Sequence, residues 1–155
     1  MDIKPLLPKE HVILGIKEQD RRKLLETIAQ PLVDDEIVDD LEQFINDVEE
    51  RESAASTQNG EVAFPHAVSK AAKRLGLAVA IAHEPGIVFD PQSETRCRVF
   101  FLFAIPAAAA PNSYLNLLSH LVDFVLAKGK LLKLVQSKTP AAAARILTSW
   151  KRPTP

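Results

Sequence analysis

Apolar positions recur along the chain with two different periods. His11-Val12-Ile13-Leu14-Gly15-Ile16 reads as a short strand. After Asp20, a candidate N-cap, Leu24, Leu25, Ile28, Ala29 and Leu32 fall at three- and four-residue steps and predict an amphipathic helix. Pro31 blurs its end, because proline brings no backbone donor to the last turn. Asp39 or Asp40 caps a second helix on Leu41, Phe44, Ile45 and Val48. Acidic residues crowd the far end of that helix around Arg51, so carboxylate neighbours are expected for this lone cation. A polar stretch from Ser53 to Gly60 ends in the turn signal Asn59-Gly60.

Three strand candidates follow: Glu61 to Phe64, stopped by Pro65, then Leu77 to Ala82 and Arg98 to Ala104. The last two are apolar on successive positions, as expected for strands covered on both faces. The final third is helical. Ser113 is a candidate cap for a helix with stripes at Leu115, Leu118, Val122, Val125 and at Leu117, Leu121, Phe124. Lys128-Gly129 is its stop, a short helix runs from Lys130 to Gln136, and Thr139-Pro140 opens another that ends near Trp150. This order predicts an α/β (α+β) fold: one domain over residues 1–155, with a mixed sheet of about five strands flanked by helices on both faces.

Composition narrows the function without naming it. The 155 residues hold 19 Lys+Arg against 20 Asp+Glu, a formal charge of −1, which argues against a non-specific nucleic-acid binder. Cys97 is the single cysteine, so an internal disulfide and a multi-cysteine zinc site are both excluded. No apolar run approaches the roughly 20 residues of a membrane span. The opening MDIKPLLPKE lacks the layout of a signal peptide, which points to a cytoplasmic protein.

Four histidines are candidates for chemistry. His11 and His120 read as structural or solvated, and His83 sits at a strand end in Ala82-His83-Glu84-Pro85, a second candidate site histidine. The four are too scattered to suggest a metal site. Cys97, between Arg96 and Arg98, reads as a small residue at a strand start rather than a reactive thiol. His66 stands apart because it follows a strand and a proline, in Gly60-Glu61-Val62-Ala63-Phe64-Pro65-His66-Ala67. Strand ends are where α/β proteins commonly place chemistry.

That segment resembles the active-site signature of the fructose/mannitol-type IIA domains of the bacterial phosphotransferase system, roughly R-E-x-x-G-S-T-G-x-G-x-G-I-A-I-P-H. Arg51-Glu52 and Ser56-Thr57 stand where its Arg-Glu and Ser-Thr do, and Val62 to His66 matches its final five positions. Leu77 to Ile81, Arg98 to Ile105 and Tyr114-Leu115-Asn116-Leu117-Leu118 are similar to later family elements, so the likeness covers about residues 3 to 150.

The resemblance implies a phosphohistidine relay with no cofactor and no metal. His66 would take a phosphoryl group from an HPr-like phosphocarrier protein and pass it to a IIB domain. In nitrogen-regulatory relatives its phosphorylation state would instead control a kinase or transporter. Arg51 would stabilise the phosphoryl oxygens, with Thr57 as a further donor. Tyr114 stands where the family often has a second histidine. His120 cannot replace that histidine, since six helical residues turn it by about 240° and raise it by about 9 Å. A second copy of the chain is a further candidate partner.

Two departures, Tyr114 in place of the second histidine and an altered loop, define the competing reading. The loop from Thr57 to His66 is one residue shorter than usual and has Gln58-Asn59-Gly60-Glu61 where the family is glycine-rich. Glu61 would repel a phosphoryl group if it faced His66. A non-enzymatic IIA-like sensor that regulates a kinase or transporter by contact is therefore the alternative. A metal-dependent hydrolase using His66 and nearby carboxylates is a third.

Overall fold

A computed structural model describes the backbone of residues 2–109 and 111–153, with side chains for 2–109 and 114–153. After single 3-10 turns at Lys4–Leu6 and Lys9–His11, the chain forms β1 (Val12–Ile16), α1 (Arg21–Asp34) and α2 (Leu41–Ala54). Then come β2 (Gln58–Asn59), β3 (Val62–Ala63), β4 (His66–Ser69), β5 (Gly76–Ala82) and β6 (Val99–Pro106). Helices α3 (Pro111–Leu126), α4 (Lys130–Val135) and α5 (Pro140–Ser149) complete the described chain.

The caps follow the side chains available. Asp20 accepts from Lys23 N at 3.1 Å, Asp40 from Gln43 N at 3.1 Å and Thr139 Oγ1 from Ala142 N at 3.1 Å. Each satisfies one of the amide donors orphaned at a helix start. Helix α1 continues past Pro31 to Asp34, where Asp35 N returns to the Pro31 carbonyl. Helix α3 begins at Pro111, two residues before the expected cap, and the Ser113 side chain lies outside the described residues. Gly129 sits at φ +79° between α3 and α4, a left-handed conformation that favours glycine.

The sheet is mixed, in the order β1-β5-β6-β3-β2, with β4 also paired to β6. Its centre is the antiparallel pair β5–β6, while β1 runs parallel to β5 and both β3 and β4 run parallel to β6. Alternation divides the core in two. Ala78, Ala80, Phe100 and Leu102 pack with α1 and α2, whereas Leu77, Val79, Phe101 and Phe103 pack with α3 and α5. Helices thus cover both faces, as the apolar strands require.

The strand expected to stop at Pro65 does not end there. Val62 pairs with Val99 and His66 with Phe103, so the partner numbers differ by 37 on both sides of the break. Pro65 has no N–H for the ladder, but its carbonyl still accepts from Phe103 N at 3.0 Å. Pairing then resumes in the same register. His66 therefore lies within a broken edge strand rather than in a turn after it.

Candidate functional site

The broken strand explains why His66 is reachable. Val62 and Val68 lie at positions of the same parity as His66, so all three share one face of the pleat. Val62 is 2% exposed beneath the α3 side of the core, and Val68 is 57% exposed beyond it. His66, between them, is half-buried. Its ring lies 6.0 Å from the Tyr114 ring at 27° and 6.3 Å from the Phe103 ring at 35°.

One wall of the site comes from α2. Asp47, Glu50, Arg51 and Ala54 follow i, i+3, i+4, i+7 spacing and so occupy one helix face. With His66, Ala67, Val68 and Tyr114 they line an open cleft of about 490 Å³. Asp47 is held by Ser69 Oγ, which donates at 2.6 Å, and by Gln43 Nε2 at 2.9 Å. Arg51 is the one cation among these lining residues. Its Nη1 donates to the Ala55 carbonyl at 2.9 Å, and no ion pair to it occurs among the described residues. The expected carboxylate neighbours, Asp47 and Glu50, share its cleft without pairing to it; Arg51 instead caps the end of its own helix, where unsatisfied carbonyls carry negative charge.

His66 Nδ1 is 2.9 Å from the Phe64 carbonyl oxygen. A carbonyl only accepts, so Nδ1 carries the proton in this bond and the lone pair of the neutral ring resides on Nε2. Burial lowers the His66 pKa from its ordinary value. The Phe64 hydrogen bond opposes that shift, Arg51 adds to it and Glu52 opposes it. A neutral ring near pH 7 follows.

Thr57 occupies a different place from the one its expected role requires. Its hydroxyl donates to Glu52 Oε1 at 2.7 Å and its backbone N–H to Glu52 Oε2 at 2.6 Å. The hydroxyl proton is therefore already engaged, and Thr57 is not among the residues that line the cleft. The Thr57 carbonyl and hydroxyl oxygens both accept from Phe64 N at 3.3 Å. Glu52, only 5% exposed, is the site residue to which the sequence reading gave no role of its own. Its signal was an acid four residues after Val48, on the continuation of the buried stripe of Phe44, Ile45 and Val48.

The loop departures also resolve. Gly60, at φ +62°, and Glu61 form a two-residue turn between β2 and β3. Glu61 lines a separate surface depression with Glu84, Arg96 and Arg98, away from the His66 cleft. Gln58 ties the hairpin down by donating to the Gly60 and Thr95 carbonyls and accepting from Asp90 N.

The remaining candidates serve structure. His11 is buried, with Nδ1 at 3.0 Å from the Leu77 carbonyl and Nε2 at 2.7 Å from Asp35 Oδ2. His83 is exposed and bonds its neighbour's carbonyl. His120 packs edge-on against Trp150, with ring centroids 5.1 Å apart. Burial pushes the Cys97 thiol up to about 12, which removes it as a nucleophile near neutrality. Among the described residues, no group of three or more His, Cys, Asp or Glu side chains could hold a metal ion, and no helix is long and apolar enough to cross a membrane.

A two-sided mixed α/β sheet domain with a half-buried histidine on an edge strand is thus the class defined by fold and site. The family model described as "Phosphoenolpyruvate-dependent sugar phosphotransferase system, EIIA 2" matches residues 5–150, and the chain belongs to that family. A relative named "PTS system fructose-specific EIIA component", from Haloferax volcanii, is 26% identical over 147 residues, covering 94% of each protein. The crystal structure of nitrogen regulatory protein IIA-Ntr from Neisseria meningitidis superposes with a TM-score of 0.81 at 23% identity, over 94% of this chain and 99% of that one. Enzyme IIA mannitol from Escherichia coli, solved in complex with phosphorylated enzyme IIB mannitol, gives a TM-score of 0.77 at 17% identity, over 93% and 98%. These structural likenesses bear on the fold.

Proposed function

We propose that this chain is a cytoplasmic phosphoryl carrier that holds the group on His66 Nε2. The observation that carries this reading is the Nδ1–H bond to the Phe64 carbonyl, which leaves the Nε2 lone pair for the cleft that Arg51 also lines. Phosphoryl transfer depends chiefly on alignment and charge stabilisation. As the bond from Nε2 to phosphorus forms, the bond from phosphorus to the donor breaks. The ring gains positive charge, and the Phe64 carbonyl accepts from Nδ1–H throughout. Arg51 turns from the Ala55 carbonyl to the phosphoryl oxygens. Tyr114 covers one side of the ring.

The donor in this reading is an HPr-like phosphocarrier protein. The acceptor is a IIB domain, by analogy with the mannitol complex, or the phosphorylated state itself controls a kinase or transporter, by analogy with IIA-Ntr. Either outcome uses the same event: two negative charges appear beside the acids Asp47 and Glu50, and the surface offered to partners changes. The test is incubation with phosphoenolpyruvate and the general phosphotransferase proteins. Acid-labile phosphate that vanishes in His66→Ala supports the proposal, and no labelling by any of several phosphocarriers refutes it.

One observation favours the contact-sensor reading. With Thr57 engaged by Glu52, Arg51 is the only cationic donor among the cleft-lining residues. A sensor of that kind binds its partner equally as wild type, His66→Ala and His66→Asp. Opposite effects of the two substitutions on partner binding would exclude it.

A further inference from the structure

We propose that Glu52 is a positioning residue for His66, acting through Thr57 and Phe64 to hold the ring proton on Nδ1 and the lone pair on Nε2. The consequence for transfer rests on the phosphoryl-acceptor reading of His66, whereas the effect on the ring itself does not.

The connection is continuous in hydrogen bonds. Both Glu52 oxygens are taken by Thr57, through its N–H at 2.6 Å and its hydroxyl at 2.7 Å. A carboxylate with an oxygen on each donor fixes the peptide and the side chain of Thr57 at once. Thr57 then receives the Phe64 N–H on its carbonyl and hydroxyl oxygens. The hydroxyl can accept there because its own proton points to Glu52. Phe64 in turn presents its carbonyl to His66 Nδ1 at 2.9 Å.

The break in the strand makes this support necessary. Ladder pairing with β6 is recorded at Val62 and Ala63 and resumes at His66, so it does not include Phe64. Beyond the last paired residue of the β2–β3 hairpin, the Phe64 backbone is held by Thr57 instead. Its side chain is held by stacking on Phe101, with centroids 5.4 Å apart at 19°. The height of the Phe64 carbonyl, and with it the ring orientation of His66, is therefore set from the Glu52 side. Glu52 can serve as an anchor because it projects from the last turn of α2 and is itself buried. Arg51, its neighbour in sequence, lines the cleft. One helical turn thus carries both the ligand-facing cation and the buried acid that orients the acceptor.

Without the anchor, Phe64 is free to shift and the imidazole can move its proton to Nε2, which cannot then attack phosphorus. Misplacement of a reacting group by about 1 Å costs on the order of 10²-fold in rate. The experiment combines ring-nitrogen NMR of His66 with the rate of phosphorylation by a phosphorylated phosphocarrier, for wild type, Glu52→Gln, Thr57→Val and Thr57→Ser. Wild type is expected almost wholly with Nδ1–H. Glu52→Gln and Thr57→Val lower that share and slow transfer about 10²-fold with little change in KM for the donor. Thr57→Ser, which keeps the hydroxyl, restores both.

A wild-type ring with its proton on Nε2 overturns the proposal outright, whether or not any variant folds. So does an unchanged proton position in well-folded Thr57→Val. If the ring responds as expected but wild type takes no phosphate, the carrier reading fails and the positioning role stands. If wild type is phosphorylated on His66 and the ring is indifferent to Thr57, the positioning role alone fails.

Discussion

The Tyr114 ring lies alongside the His66 ring, with centroids 6.0 Å apart and planes 27° apart. An aromatic here removes water from one side of the imidazole without adding a second titrating base. Tyr114→Ala is expected to raise the His66 pKa toward its ordinary value, because burial is the main cause of the lowering. Tyr114→Phe keeps the stacking and is expected to leave that pKa in place. NMR titration of His66 distinguishes the two. A slower phosphoryl transfer in Tyr114→Phe would further assign a hydrogen bond to the phenol.

Arg51 is the cationic donor in the cleft lining, so its loss has the largest expected effect after that of His66 itself. Removal of one preorganised donor to developing charge typically costs about 10²- to 10³-fold. Arg51→Ala is expected to slow phosphorylation of His66 by that order, and Arg51→Lys to recover part of it. Glu61→Ala is the control. Because Glu61 faces a different depression, the transfer rate should not change.

The lowered pKa values of His66 and His120 make stability pH-dependent, with burial the first cause at each. In the unfolded chain these rings take a proton near pH 6.5, while in the folded protein they do so only at lower pH. The unfolded state therefore binds more protons as pH falls, and folding weakens. The contribution is fully present above about pH 6.5 and is lost as pH drops through the folded pKa values. Denaturant midpoints measured from pH 7.5 down to about 5 should fall. His120→Phe should flatten part of that slope.

The cap of α2 bears on both stability and the site. Asp40 accepts from Gln43 N, and the same helix ends in Arg51 and Glu52. Asp40→Ala is expected to cost about 1 kcal/mol by denaturant unfolding. Transfer should fall only slightly, because the last turn of α2 is anchored separately by Glu52 and by the Arg51 contact with Ala55.

Phe101→Ala tests the support beneath Phe64. The Phe101 side chain is fully buried, and its removal is expected to destabilise the fold by about 3–5 kcal/mol. In whatever fraction remains folded, the His66 ring should lose its single proton position, as read by the same ring-nitrogen shifts.

Much of this architecture was legible because it depends on short-range pattern. The stripe of Leu24, Leu25, Ile28 and Leu32, the caps at Asp20 and Thr139, and the left-handed Gly129 follow from helical periodicity and backbone chemistry. The apolar runs of β5 and β6 announced a sheet covered on both faces. The stretch from Ser53 to Gly60 reads as a loop, whereas α2 continues to Ala54, so only the structure puts Ala54 on the helix face of Asp47, Glu50 and Arg51 that lines the cleft. Strand β4 was hidden, because a proline reads locally as a stop, and only the neighbouring strand shows that pairing resumes at His66, directly after it.

The sequence by itself determined that His66 follows a proline beside a segment that resembles the IIA signature, and that Arg51, Thr57 and Tyr114 belong to the same pattern. Only the tertiary structure decided what those residues do to one another. It brought Tyr114, from α3, against an imidazole 48 positions earlier in the chain. It turned Thr57 away from the cleft and onto a buried carboxylate, and it sent Glu61 to another surface. The physical reason is that hydrogen-bond partners and burial are set by contacts across the fold. A periodic pattern records which face a side chain occupies, but not which donor waits there.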